Sequence, residues 1–219
     1  MRRTKTLPPA AAVSCSWAEA RDHVYPLMVP AAVLQGIELE RVSHAPPRGP
    51  LPAATFVWHG DLAIICVLDR PTDASPHWID QALLDAWQTP AEQILEQAKA
   101  NLTHCQMQAA VGRTPAGTRW VQLEPTIYTA ACALLPALPA VLADHLGPVF
   151  DVMLPAGNLL LAYTTATPWA DDDLAEVIFA AIAEDADPGN RLPILGALAI
   201  NLLAGTITWR QLRQPPRLN

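Results

Sequence analysis

An apolar run that ends in an aspartate is the feature of this sequence that most suggests chemistry. Residues 62–68 read LAIICVL, and Asp69 follows them directly. Nucleotide hydrolases hold magnesium with a carboxylate at such a strand end, so Asp69 is a candidate catalytic acid. The same pattern describes an ordinary core strand where the chain returns to water. We favour this second interpretation.

The motifs that would support a catalytic Asp69 are absent from the sequence. A phosphate-binding loop needs G-x-x-x-x-G-K-[ST], and neither lysine, Lys5 or Lys99, follows a glycine. The glycines upstream of Asp69 do not form the G-x-G-x-x-G turn of a dinucleotide site.

The sequence also lacks a motif for a catalytic nucleophile. No serine lies in G-x-S-x-G. His104 and Cys105 are adjacent, and their side chains would point in different directions from a helix end. The sequence therefore assigns no catalytic residue.

The histidines and cysteines show no metal-binding spacing. Six histidines and four cysteines occur without H-x-x-x-H, H-E-x-x-H or C-x-x-C. We therefore predict no metal site and no cofactor. Widely spaced cysteines favour a reducing, cytoplasmic location. The apolar stretches 130–142 and 194–204 are too short to span a bilayer, so we also predict a soluble protein without a membrane partner.

Charge argues against nucleic acid as a partner. The formal net charge is −7, with 14 basic and 21 acidic residues, whereas binding to phosphates needs clustered Lys and Arg. No lysine or arginine lies between Arg119 and Arg191, while Asp171, Asp172 and Asp173 fall in that interval. This segment predicts an acidic surface that could meet a protein partner or a second copy of the chain.

The helices and strands that must position these residues can be predicted from the spacing of hydrophobic residues and from turn-forming residues. The chain has 219 residues, of which 51% are hydrophobic and 16% charged, as in packed globular proteins. Hairpins are predicted from strands 55–58 and 62–68 and from strands 149–154 and 159–164. Amphipathic helices are predicted to start at Ser75, Thr89 and Thr167, each followed by proline at the first helical position.

Three further helices complete the prediction. The first has Ser16 as its cap, with Glu19 completing a capping box, and ends at Pro26. The second is a long apolar helix over residues 126–146 that is interrupted by prolines at 136–139. The third covers residues 193–203.

Together these elements predict an α+β fold with mainly antiparallel strands, in two hairpins, packed with helices. We expect a single domain over residues 1–219. The repeated hairpin–helix order leaves two interpretations open. One is a duplication with lobes at 1–105 and 120–219, and the other is two uses of a common unit, which we favour.

Four stretches of the chain, taken in order, resemble a known family. They are SWAEARDHVYPLMVP near the start, LAIICVLD followed by a helix and AKANL, then YTAACALLPAL, and finally GPVFDVMLPAGNLLLAY. This order of landmarks resembles the YtpQ-like family of bacterial cytosolic proteins of unknown function. The resemblance implies a bacterial cytosolic protein, and it implies no reaction, cofactor or catalytic residue.

Two hypotheses about function follow. The favoured one is a non-catalytic binding or interaction protein with a protein partner or a second copy as its ligand. The alternative is an enzyme or small-ligand binder with a cleft of carboxylates and aromatics between two lobes. The candidate binding residues are Asp69, Asp151, Trp58, Trp169, Asp171, Asp172 and Asp173.

Overall fold

A computed structural model describes residues 15–31, 52–58, 62–73, 76–105, 107–124, 126–164, 173–176, 178 and 197–210. These residues confirm the α+β prediction, because helices pack with antiparallel strands in a four-stranded and a six-stranded sheet. The sheets do not show a duplication of hairpin–helix units. The predicted caps Ser75 and Thr167 lie outside the described residues, as do the candidates Trp169, Asp171 and Asp172.

The small sheet has the strand order β1-β3-β2, and β4 also pairs with β3. Its strands are β1 (Val24–Pro30), β2 (Thr55–Val57), β3 (Leu62–Leu68) and β4 (His77–Trp78). All seven residues of β3 are buried, as expected for a strand that is apolar on both faces and covered on both. The predicted first hairpin and its interior strand are therefore confirmed.

The N-terminal helix is shorter than predicted. Helix α1 (Trp17–Ala20) begins with the expected capping box, in which the backbone N–H and hydroxyl of Ser16 each donate a 2.8 Å hydrogen bond to Glu19. A 3₁₀ turn, Arg21–His23, then leads into strand β1. The prediction that the helix continues to Pro26 was wrong. Proline is tolerated here because, among the described strands, β1 is an edge strand that pairs with β3 on one side.

Two helices follow the small sheet. Helix α2 (Gln81–Trp87) is capped by Asp80, whose carboxylate accepts a 2.9 Å hydrogen bond from the N–H of Leu83. The helix was predicted to start at Ser75, but His77 and Trp78 form strand β4 first, so that start was wrong. Helix α3 (Ala91–Leu102) begins one residue later than predicted, because Pro90 is the residue before the helix and not its first residue. Its buried apolar face is formed by Ile94, Leu95, Ala98 and Leu102.

The long apolar helix predicted over residues 126–146 is split. Its first part is a 3₁₀ helix, Thr129–Leu134, and its second part is helix α4 (Leu138–Leu146). Prolines between and at the start of these segments remove the backbone donors that a continuous helix would need. Gly147 ends α4 with a positive φ of 86°, which glycine adopts without strain.

The large sheet has the strand order β10-β9-β7-β8-β6-β5, and all its pairings are antiparallel. Its strands are β5 (Gln108–Arg113), β6 (Arg119–Glu124), β7 (Val149–Ala156), β8 (Leu159–Tyr163), β9 (Ala197–Asn201) and β10 (Thr206–Arg210). Strands β7 and β8 confirm the second predicted hairpin.

The helix predicted over residues 193–203 was wrong, because the described part of that segment contains strand β9. Strand β9 pairs with β7 on one side and with β10 on the other. A short apolar run fits a helix or a buried strand equally well by periodicity alone. Strand β7 pairs with β8 along one edge, and the backbone N–H and C=O groups along its other edge form hydrogen bonds when β9 pairs there. This pairing favours a strand over a helix.

Two hydrophobic clusters hold the sheets and helices together. The inter-sheet core joins Met28, Leu62 and Val67 of the small sheet to the 3₁₀ helix, α4 and one face of the large sheet. The helix-side core packs Ile64, Cys66 and Leu68 of β3 against α2 and α3. The opposite face of the large sheet is covered by Leu174 and Ile178, which lie in a helical segment.

Candidate functional site: an apolar cavity between the two sheets

An open cavity of about 680 Å³ lies where the two sheets approach each other. We call it the inter-sheet cavity. Its walls come from β2 and β3 of the small sheet, from α3, from the 3₁₀ helix and the start of α4, and from β7 and β9 of the large sheet. Pockets that hold small organic ligands have volumes of about 300–1,000 Å³, so this cavity has a suitable size.

Most of the side chains that line the inter-sheet cavity are apolar. Its lining residues are Phe56, Val57, Trp58, Ile64, Leu95, Lys99, Ala133, Leu134, Leu135, Pro136, Leu138, Pro139, Val152 and Ile200. Among these described residues, Lys99 alone carries a charge. An apolar wall with a single charged group gives a ligand a place to bury hydrocarbon and one point that fixes its orientation.

Trp58 and Leu134 stand at the boundary between the two hydrophobic clusters. Each packs against both the inter-sheet core and the helix-side core, and each also lines the cavity. Trp58 directly follows β2, where its backbone N–H donates a 2.9 Å hydrogen bond to the carbonyl of Leu62. The cavity therefore lies at the junction of two cores.

Lys99 reaches the cavity from the last turn of helix α3. Its Nζ donates a 2.8 Å hydrogen bond to Oε1 of Glu96, one turn earlier on the helix. The Lys99 side chain is 28% exposed, whereas that of Glu96 is 72% exposed. The lysine stem is thus packed against protein while its partner carboxylate stands in water.

Asp69 does not line the cavity and has a different role. The phenol hydroxyl of Tyr128 donates a 2.6 Å hydrogen bond to Oδ2 of Asp69, and the backbone N–H of Asp69 donates to the carbonyl of His23. Tyr128 directly precedes the 3₁₀ helix, 59 residues farther along the chain. The carboxylate therefore ties the end of β3 to the segment that covers the large sheet.

Two tyrosines and one thiol near Asp69 have raised pKa values. Tyr25 stacks on Tyr128 with ring centroids 4.8 Å apart. Burial, and then the hydrogen bond to Asp69, raise the pKa of the Tyr128 phenol. Burial also raises the pKa of Tyr25 and of the Cys105 thiol, and the negative charge of Asp69 acts in the same direction on both. A thiol with a raised pKa is a poor nucleophile at neutral pH.

The other sequence-predicted residues are dispersed. Asp151 is buried in β7 beside Tyr163 of β8, on the face of the large sheet away from the cavity. Asp173 is exposed in the helical segment that covers that face. Of the predicted candidates in the described part of the chain, Trp58 is the one that lines the cavity.

Sequence reasoning missed Lys99 and Leu134. It also missed the part of the cavity wall that follows Leu134 and contains Pro136 and Pro139. The available signal was that a single lysine interrupts the buried face of an amphipathic helix, although surface lysines on helices are common. In the parts of the chain that the structure describes, no three His, Cys, Asp or Glu side chains are grouped to hold a metal ion. All four cysteines are free thiols.

Comparisons with known proteins gave no match to a family model, to a curated protein or to a solved structure. Among the described residues, no helix combines the length and apolar character needed to cross a membrane.

Proposed function

We propose that this protein is a non-catalytic binding protein that takes a small, mostly apolar ligand into the inter-sheet cavity. The observation that carries the proposal is the cavity itself, which combines a volume of about 680 Å³ with an apolar wall. Burial of apolar ligand surface would contribute about 25 cal/mol per Å² before the cost of association. The proposal keeps the ligand cleft of our alternative hypothesis but not its carboxylates.

Catalysis is less well supported than binding. Acid–base chemistry needs a titratable group within hydrogen-bonding reach of the substrate. Among the described residues that line the cavity, Lys99 is the one with a titratable side chain, and it is held by Glu96. Asp69 and Asp151, the two acids that were candidates for a cleft, lie elsewhere. A ligand in this cavity would meet mostly apolar side chains and one ammonium group.

A neutral fluorescent probe tests the proposal. N-phenyl-1-naphthylamine fluoresces strongly in apolar surroundings, and we expect saturable binding to the wild-type protein. The substitution Ala133→Trp would fill part of the cavity and should weaken binding by about tenfold or more, since about 1.4 kcal/mol is tenfold in affinity. Ala140→Trp is the matched control, because Ala140 is exposed on α4 and does not line the cavity.

Two results would contradict the proposal. One is the absence of saturable binding to the folded wild-type protein, and the other is an equal loss of binding in both variants. Thermal unfolding of each variant is needed alongside, because a tryptophan that unfolds the protein would remove the cavity for an unrelated reason.

A second candidate function, contact with a protein partner or a second copy of the chain, has an observation of its own. Val149, Leu202 and Leu203 are 52%, 40% and 80% exposed. They lie together at one end of the large sheet, where the N–H of Leu202 bonds to the carbonyl of Pro148. Light scattering of the wild type and of Leu203→Lys tests this candidate. A smaller mass for the variant supports self-association, whereas a monomeric wild type contradicts it.

We further propose a bacterial, cytoplasmic protein. The four free cysteines support a reducing compartment, since thiols stay reduced in the cytosol. Growth of the source cells followed by fractionation and immunoblotting would test this location, and recovery in an extracellular fraction would contradict it.

A further inference from the structure

We propose that the ligand of the inter-sheet cavity is an amphiphilic monocarboxylate, with its hydrocarbon against the apolar wall and its carboxylate on Nζ of Lys99. This inference rests on the proposed function and adds the chemical class of the ligand. It depends on the position of one charged side chain, Lys99, in a lining of mostly apolar side chains.

The wall selects hydrocarbon for most of the ligand. Trp58, Leu134 and Val152 come from three different elements and face one space. A polar ligand group placed against Leu134 or Val152 would lose its hydrogen bonds to water and gain none from these two side chains. The ligand therefore needs a tail without polar groups.

Lys99 selects a negative charge at one end of that tail. Its ammonium group has three donors, and the bond to Glu96 uses one of them. An incoming carboxylate can accept from a second donor without breaking the pair. It can also displace Glu96, because exposed ion pairs contribute only about 0–1 kcal/mol and the Glu96 side chain is 72% exposed.

The number of charges favours a carboxylate over a phosphate. Once Glu96 is displaced, the Lys99 ammonium balances one negative charge, and Lys99 is the charged residue that the described lining offers. A phosphate monoester carries about −1.5 to −2 at neutral pH. The excess negative charge would stand near an apolar wall in a protein whose net charge is already −7, where its desolvation is not offset.

Calorimetric titration with four ten-carbon ligands tests the inference. Decanoate, 1-decanol, decyl phosphate and decylammonium each contain ten carbons in an unbranched chain and differ in the head group, and all are used below their micellar concentrations. We expect wild-type protein to bind decanoate most tightly. A hydrogen bond to a charged group predicts a preference over 1-decanol of about tenfold or more.

Variants at Lys99 assign the preference to its charge. Lys99→Met keeps the length of the stem and removes the ammonium, so decanoate affinity should fall to that of 1-decanol. Lys99→Arg keeps the charge and should retain most of the preference. The matched control is Arg21→Met, which removes one basic residue whose side chain is exposed and does not line the cavity. Thermal unfolding checks that each variant is folded.

The outcomes separate this inference from the proposed function. If 1-decanol binds as tightly as decanoate, the cavity still binds hydrocarbon and the carboxylate inference is overturned. Tighter binding of decyl phosphate or of decylammonium also overturns it. If none of the four ligands and no neutral probe binds, the proposed function fails as well. An equal loss of decanoate and 1-decanol affinity in Lys99→Met would mean that the lysine acts only through packing.

Discussion

The hydroxyl of Tyr128 donates a 2.6 Å hydrogen bond to Oδ2 of Asp69, across 59 residues of sequence. Tyr128 is buried, and its ring is stacked on Tyr25 of β1. The bond thus joins the first residue after β3, the central strand of the small sheet, to the residue that precedes the 3₁₀ helix packed on the large sheet. A carboxylate that resembles a catalytic acid in sequence is, in the structure, a connection between two layers of the fold.

Tyr128→Phe should destabilise the protein by about 1–3 kcal/mol, because it removes a hydrogen bond to a charged group while keeping the ring. Urea unfolding followed by circular dichroism measures the change. Tyr25→Phe is the control, since it keeps the stack and leaves the bond to Asp69 intact, and its effect should stay within about 0.5 kcal/mol. Equal effects of the two substitutions would mean that the bond to Asp69 contributes nothing particular.

Gly112→Ala should destabilise the protein by about 1–3 kcal/mol through overpacking. Gly112 of β5 faces Trp120 of β6 across the ladder, and a Cβ added there would collide with the Trp120 indole. A double-mutant cycle with Trp120→Leu checks the cause. The cost of Gly112→Ala should fall by more than half when the indole is absent, and an unchanged cost would place the strain in the backbone instead.

Stability should fall in acid partly through Asp73. The Arg70 guanidinium donates two hydrogen bonds to the Asp73 carboxylate, at 2.9 and 3.0 Å, and holds its pKa below the usual value. In the unfolded chain this carboxyl titrates near its ordinary pKa of about 3.9. The stabilisation is therefore present above about pH 4 and is lost as the pH falls through the lower pKa of the folded state.

The test for Asp73 is the urea midpoint at pH 7 and at pH 3. Asp73→Asn should lower the midpoint at pH 7 and flatten its dependence on pH, because the neutral amide does not titrate. Glu92→Gln is a control at an exposed acid on α3. A wild-type pH dependence that survives in Asp73→Asn would contradict this assignment.

The four cysteines should react with iodoacetamide in two classes at pH 8. Burial raises the pKa of the Cys66 and Cys132 thiols to about 12, and both side chains are inaccessible. Cys15 and Cys105 are half-buried, and burial raises their pKa by less. Mass spectrometry over time should find Cys15 and Cys105 alkylated first, with Cys66 and Cys132 following only as the protein opens. Early labelling of Cys66 would contradict the buried position of β3.

Local patterns were sufficient to predict those elements whose signals do not depend on a distant partner. The hairpin of β2 and β3, the hairpin of β7 and β8, and helix α3 follow from turn residues, period and capping signals. The positions of Asp69 and Trp58 at strand ends followed as well. Their different roles did not, since the partner of Asp69 is Tyr128 and the neighbours of Trp58 belong to two separate clusters.

By itself, the sequence determined the α+β class, the interior strand β3 and the absence of the common catalytic motifs. These features depend on composition, on the spacing of hydrophobic residues and on short motifs, all of which are visible within a short stretch of sequence. Tertiary structure decided that Val24–Pro30 and Ala197–Asn201 are strands, since each gains its backbone hydrogen bonds from a strand far away in the chain. It also decided where Lys99 lies relative to an apolar wall. A cavity is formed by the mismatch between packed elements, and no single segment of the sequence contains that information.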